Sequence, residues 1–284
     1  MITRLRRNFL WGIFISTVIV YIIDAAGHLL QWGLVETPFI NFLTYTLPVF
    51  LLICHATWVL DLKRGLCFVL IASLIGFLAE VISLHYATLF GGRYMYLGDG
   101  VKLFEIPLKI PIFWAVVVYL GYSLTTSFHY SLNKNKPSRH TGGATLLPLL
   151  ILLDGLFVVS IDLLLDPVQV HTQQWTWLDE GAYFGIPIGN FIGWFLVTTV
   201  TTGLFRTFEY FWPQKKYASD KWAHLMPGVC YGVLYLMLVS QAFRIQLPEL
   251  ALIGSLVMGP ILILNLIFFA CWQPARSRAK RCFF

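Results

Sequence analysis

Three aspartates, Asp154, Asp162 and Asp166, interrupt the otherwise hydrocarbon run "ILLDGLFVVSIDLLLDP" at residues 151–167. Two more acids, Asp24 in "VYIIDAAGHLL" and Glu80 in "IGFLAEVISLH", sit in stretches just as apolar. A carboxylate in such surroundings is costly, so these residues either pair for packing or do chemistry. The chemistry open to them is proton transfer. A carboxylic acid kept protonated in a water-poor pocket can protonate an alkene, and a second, ionised carboxylate can hold a water or take its proton. Aromatic faces would stabilise the cation formed between those steps. Tyr86, Tyr94 and Tyr96 follow Glu80 in sequence, and Trp175, Trp177, Tyr183 and Trp194 follow Asp166. At about 100° per residue, Asp162 and Asp166 share a helix face, with Asp154 within about a quarter turn.

Each of these residues also has a packing reading. Asp166 precedes Pro167 and fits an interfacial turn at a helix end. Asp154 could pair with Asn190 or His28. Asp24 and His28, four apart on one face, suit a structural hydrogen bond better than a metal site, and no metal site is expected. His85 reads as a polar residue near a span boundary. Gly185, Gly189 and Gly193 in "GIPIGNFIGW" recur every four residues, which allows close approach of a neighbouring helix and turns Asn190 toward the acids.

The elements that must position these residues follow from composition. Of 284 residues, 58% are hydrophobic and 12% charged, where a soluble domain carries about 25% charged residues. Apolar runs long enough to cross a bilayer recur along the chain, at about 8–30, 39–60, 66–90, 107–128, 145–166, 184–205, 223–243 and 248–271. Backbone groups inside lipid require helices. The expected fold is therefore all-α: a polytopic transmembrane bundle of about eight spans in one domain covering residues 1–284. The N-terminal run is too long for a signal peptide and reads as a retained helix. The five cysteines form no CxxC pair, which excludes a zinc or disulfide framework of the usual spacing.

The net charge of +6 reports on orientation rather than on nucleic acid. With the N-terminus inside, the inner segments hold Arg4, Arg6, Arg7, Lys63, Arg64, Lys134, Lys136, Arg139, Arg206, Lys215, Lys216, Lys221, Arg276, Arg278, Lys280 and Arg281. That leaves only Arg93, Lys102, Lys109 and Arg244 of the 20 basic residues outside. The split predicts that both termini are cytoplasmic. Two outer loops stand out. "RYMYLGDGVKLFEI" alternates around "GDG" and predicts a short hairpin. "DPVQVHTQQWTWLDEGAYFGIP" is rich in Trp and Tyr, as an interfacial belt would be.

The stretch "AEVISLHYATLFGGRYMYLGDGVKLFEIPLKIPIFW" resembles one conserved block of the integral-membrane carotenoid biosynthesis proteins, and "DLLLDPVQVHTQQWTWLDEGAYFGIPIGNFIGW" resembles another. Characterised members are carotenoid 1',2'-hydratases acting on gamma-carotene or bisanhydrobacterioruberin. The resemblance implies addition of water to the terminal double bond of an acyclic carotenoid end group, without a cofactor. The partners it implies are a lipophilic carotenoid, the bilayer of a prokaryotic cytoplasmic membrane and other enzymes of the same biosynthesis. It carries Glu80, Arg93, Tyr94, Asp162, Asp166, Trp175, Trp177, Tyr183 and Asn190 over as site residues. "LFGGRYMY" and "PIFW" depart from the family pattern and leave the exact substrate open. On this reading Glu80 or Asp162 is the general acid, and the other, with Asp166, orients water. Asp24, Asp154 and Trp194 complete the substrate-binding candidates. Three alternatives remain at this point: an end-group cyclase or isomerase, a proton-coupled transporter, and a carotenoid-binding protein without catalysis.

Overall fold

In the computed structural model, which describes residues 2–33, 37–98, 100–132, 146–214 and 221–270, each apolar run becomes one long helix. They are α1 (Ile2–Leu30), α2 (Pro38–Val59), α3 (Leu62–Tyr86), α4 (Lys109–Leu132), α5 (Leu147–His171), α6 (Ile188–Phe211), α7 (Lys221–Arg244) and α8 (Pro248–Ala270). All eight contain a stretch long and apolar enough to cross a membrane. Their ends carry ordinary helix signals. Thr37 caps α2 by accepting from the Ile40 amide, with Pro38 in the first turn, and Asp61 caps α3 by accepting from the Arg64 amide. Leucines such as Leu70, Leu74 and Leu78 of α3 lie exposed on the outside of the bundle, as a hydrocarbon solvent allows. The bundle is organised around α4, of whose apolar stretch 72% is buried, against 28% for α8.

Helix limits differ from the sequence expectation where the site lies. Asp166–Pro167 does not end a helix: α5 runs on to His171, and Asp166 is buried. Pro167 has no amide hydrogen, so the Leu163 carbonyl one turn earlier loses its usual donor. The Tyr183 hydroxyl donates to that carbonyl at 3.0 Å. Likewise α6 continues past residue 205 to Phe211. Arg206 therefore lies inside the bundle with no exposure, not in an inner loop. Lys134, Lys136, Arg139, Lys215, Lys216, Arg276, Arg278, Lys280 and Arg281, with Cys271 and Cys282, lie outside the described residues.

The expected hairpin about "GDG" is replaced by two other pairings. β1 (Tyr94–Tyr96) pairs antiparallel with β4 (Trp175–Trp177) from the other loop, in the register Tyr94↔Trp177, Met95↔Thr176 and Tyr96↔Trp175. β2 (Lys102–Leu103) and β3 (Ile106–Pro107) form a separate hairpin whose turn residues, Phe104 and Glu105, both have positive φ. The alternation was read correctly, since it puts Tyr94 and Tyr96 on one face. The partner was missed, because cross-strand aromatic pairs are the stronger attraction and "WTW" supplies them from about eighty residues away.

Candidate active site

The β1–β4 ribbon closes one end of the bundle, referred to below as the loop end. Beneath it two acid centres meet. On α5, Asp162 and Asp166 share a face as their spacing requires, and the Asn190 amide of α6 bridges them, donating 2.9 Å to Asp162 Oδ2 and 2.9 Å to Asp166 Oδ2. Asp166 Oδ1 accepts from the Trp175 indole. Asp162 Oδ1 is buried without a partner among the described residues. On α3, Glu80 is held by three donors: Tyr94 Oη at 2.6 Å, Tyr96 Oη at 2.8 Å and Trp114 Nε1 at 2.9 Å. Three such donors on one carboxyl favour its ionised form and oppose the cost of its burial.

The ribbon register ties the two centres together. Tyr96 binds Glu80, its cross-strand neighbour Trp175 binds Asp166, and their rings meet edge-on with centroids 5.9 Å apart. Tyr94 packs on Trp177 at 4.9 Å. The phenols of Tyr94 and Tyr96 are pushed well above the ordinary range, first by burial and then by the Glu80 carboxylate beside them. Both remain donors at any working pH.

Glu80, Asp166 and Asn190 face a cavity of about 560 Å³ walled by rings that include Phe90, Tyr94, Trp114 and Trp194. Trp114 and Trp194 lie 4.2 Å apart, and Phe90 stacks on Trp114 at 6.1 Å. The Trp177 indole N–H, also in the lining, is buried without a partner among the described residues. Away from the acids the cavity becomes polar. There Asp24 and His28 lie 3.4 Å apart, and Arg244 donates to His28 Nδ1 at 2.7 Å, with Gln241 nearby. The i, i+4 pair is thus in close polar contact, at ion-pair distance. No group of His, Cys, Asp and Glu suited to a metal ion occurs among the described residues.

The expected site residues divide by position. Asp24, Glu80, Tyr94, Asp166, Trp175, Trp177, Asn190 and Trp194 all line the cavity. Asp162 sits behind Asn190 and Asp166, fully buried. Tyr183 is one shell out, packed on Phe191 and holding the Leu163 carbonyl, its phenol pushed up to about 12 by burial and by Asp162. Arg93 is not in the cavity: it is 66% exposed in a salt bridge with Asp179 at 2.7 Å. That pair, with the Arg93 amide also donating to Asp179, pins the start of β1 to the end of β4. Asp154 is not in the cavity either. It pairs with neither Asn190 nor His28 but with Arg206, at 2.7 and 2.8 Å, with both side chains wholly buried. Depth in the span was the misleading cue, because Asp154 lies two turns farther from the loop end than Asp162.

Two participants escaped the sequence reading. Trp114 was noted only as the last letter of "PIFW"; its indole donates to Glu80, which a donor inventory one helix away could have suggested. Glu209 lies past the expected end of the sixth span, yet it is buried and accepts from Tyr122 at 2.7 Å, beside Arg206. Of the spaced glycines, Gly189 packs on Gly91 and Gly193 on Phe90. A Cβ on Gly189 would lie 2.6 Å from the Gly91 Cα, and Gly91 itself has φ +73°, which accounts for the extra glycine in "LFGGRYMY". Gly185 instead serves a tight turn at φ +83°.

The fold and the site together define an integral-membrane protein with an acid site buried under an aromatic ribbon. The family model described as carotenoid biosynthesis protein matches residues 40–261, most of the chain and both acid centres, and the chain belongs to that family. No curated protein and no solved structure matched the chain.

Proposed function

We propose that the protein is a carotenoid hydratase that adds water across the terminal double bond of an acyclic end group. The observation that carries this reading is the pair of acid centres, one poised to give a proton and one to take it, on a single aromatic-walled cavity. Asp162 and Asp166 are bridged by one amide and buried, so like-charge repulsion leaves one proton between them. Asp166 faces the cavity and delivers that proton to the less substituted alkene carbon. The tertiary cation forms on the neighbouring carbon, against the aromatic wall that includes Phe90, Trp114 and Trp194 and near Glu80. Water adds to that carbon, its extra proton passes to Glu80, and Glu80 hands that proton on through cavity water to the aspartate pair. Alkene and water give one tertiary alcohol, and the carboxyls end as they began.

Of the two acids expected as proton donor, Glu80 and Asp162, this reading takes the aspartate pair that contains Asp162 and gives the delivery to Asp166, because Glu80 already accepts three hydrogen bonds. The polar arm at Asp24, His28 and Gln241 supports hydration over cyclisation, which must keep water from the same cation. The test is purified protein with lycopene in ¹⁸O-labelled water. A product heavier by one labelled water supports the reading; a cyclised or unchanged pigment contradicts it.

A further inference from the structure

The acid cavity does not end at its polar arm. Tyr21 of α1, Val116 of α4 and Leu234 of α7 line it and also line a second cavity of about 80 Å³. Three helices show the same progression. On α4 the lining passes from Ile110 and Phe113 through Val116 to Tyr119 and Ser123. On α2 it passes from Thr44 and Tyr45 to Leu51, Leu52 and His55, and on α7 from Gln241 through Leu234 to Cys230 and Met226. The two cavities therefore adjoin, with Tyr21, Val116 and Leu234 as a common wall. The smaller one, the inner arm, leads away from the loop end, Tyr119 lying about 13 Å along α4 from Ile110 at about 1.5 Å per residue.

This arm offers nothing to a polar guest. The Thr17 hydroxyl donates to the Ile13 carbonyl and the Ser123 hydroxyl to the Tyr119 carbonyl, each back to its own helix. At the far end His55 is satisfied on both nitrogens, by Tyr119 Oη at 2.8 Å and the Ala223 carbonyl at 2.7 Å. A hydrocarbon chain whose end group sits between Glu80 and Asp166 has two ways to continue. The arm at Asp24, His28 and Arg244 would force apolar surface against charged groups that need water. The arm at Leu51, Leu52 and Met226 removes apolar surface from water at no such cost.

We infer that the two cavities join into one forked space whose inner arm is a binding subsite for the chain of a linear isoprenoid substrate, and that the residues about His55 at its far end set which chain lengths are preferred. The identity of the guest rests on the hydratase reading; the shared wall and the dry lining do not. The arms divide the two reactants, hydrocarbon inward and water through the polar side.

Filling the arm tests this. Cys230→Phe fills it from α7 and Leu51→Phe from α2. Each is made in an Asp162→Asn background, which holds lycopene without turning it over, and each is expected to lower lycopene per folded protein about tenfold, the loss of a well-buried apolar segment. In the otherwise native chain each should lower the turnover ratio of lycopene to a ten-carbon alkene with the same end group. Leu51→Ala, which widens the arm and threatens folding least, should move that ratio the other way. Unchanged pigment and an unchanged ratio in folded variants would overturn the subsite. If the native chain hydrates neither substrate yet pigment retention still depends on Cys230 and Leu51, the hydratase reading falls and the subsite stands.

Discussion

Two buried charged clusters occupy this bundle, and they differ in what faces them. Toward the loop end, Asp166 and Glu80, with Asp162 behind them, border a cavity, and no cation pairs with them among the described residues. Away from it, Asp154, Arg206, Tyr122 and Glu209 pack on one another and line neither of the two cavities, although Glu209 Oε1 and Arg206 Nη1 keep no hydrogen-bond partner among the described residues. Arg206 forks onto Asp154, donates to the Tyr122 carbonyl and lies over the Tyr122 ring at 4.4 Å, and the Tyr122 hydroxyl serves Glu209. Acids of the same kind, in equally apolar helices, thus serve different ends. A buried acid matched by a guanidinium holds helices together, whereas acids matched only by neutral donors, beside an open space, are placed to give or take a proton.

The largest effect should come from breaking the closed cluster. Arg206→Met strands Asp154 without its counter-charge, and removing one partner of a buried pair costs about 3–5 kcal/mol. The variant should be recovered from membranes at a small fraction of the native yield, and pairing it with Asp154→Leu should restore much of that yield. Poor recovery of the double variant would mean that the charges do more than cancel each other.

Next come the loop-end acids, where folding should survive and chemistry should not. Asp166→Asn and Glu80→Gln keep shape while removing the donor and the acceptor of the proton. Each should cost at least about a hundredfold in turnover, the low end for acid–base catalysis, with normal elution from detergent. Asp162→Asn should behave the same way, since it removes the partner that shares the proton.

A smaller, more specific effect concerns Tyr183. Losing one hydrogen bond at about 1 kcal/mol should lower turnover about fivefold in Tyr183→Phe. Pro167→Ala returns a backbone N–H to the Leu163 carbonyl, so the double variant should recover most of that loss. No recovery would show that Tyr183 acts by some means other than holding the turn that carries Asp162 and Asp166. Smallest of all should be Arg93→Ala. Its exposed pair with Asp179 only fastens the ribbon, and exposed pairs contribute little, so turnover should stay within about twofold. Burial does not protect this pair. Asp179 is held below the ordinary carboxylate range by the Arg93 hydrogen bonds, so whatever it contributes is present near neutral pH and fades as pH falls through that lowered value.

Much of this was legible before any coordinates. The eight spans follow from hydrocarbon length alone, and the shared face of Asp162 and Asp166 from helical spacing. Period-two alternation put Tyr94 and Tyr96 on one face. What was hidden is what lies between elements. Nothing near Asp154 in sequence points to Arg206, fifty-two residues away, and a basic residue just past an apolar run looks like an inner-loop charge. Pro167 looked like a helix end because its missing donor is replaced from Tyr183, across a turn. The ribbon was hidden for the same reason: its strands come from different loops.

The central claim is that the loop-end acids do chemistry and the closed cluster does not. It is tested most directly by hydration turnover per folded protein in two variants that each neutralise buried acid: Asp166→Asn, and the paired Asp154→Leu with Arg206→Met. The account predicts at least about a hundredfold loss in the first and turnover within about threefold of native in the second, since a neutral pair of similar volume can replace a buried ion pair. Equal losses in the two, or a loss confined to the second, would contradict it.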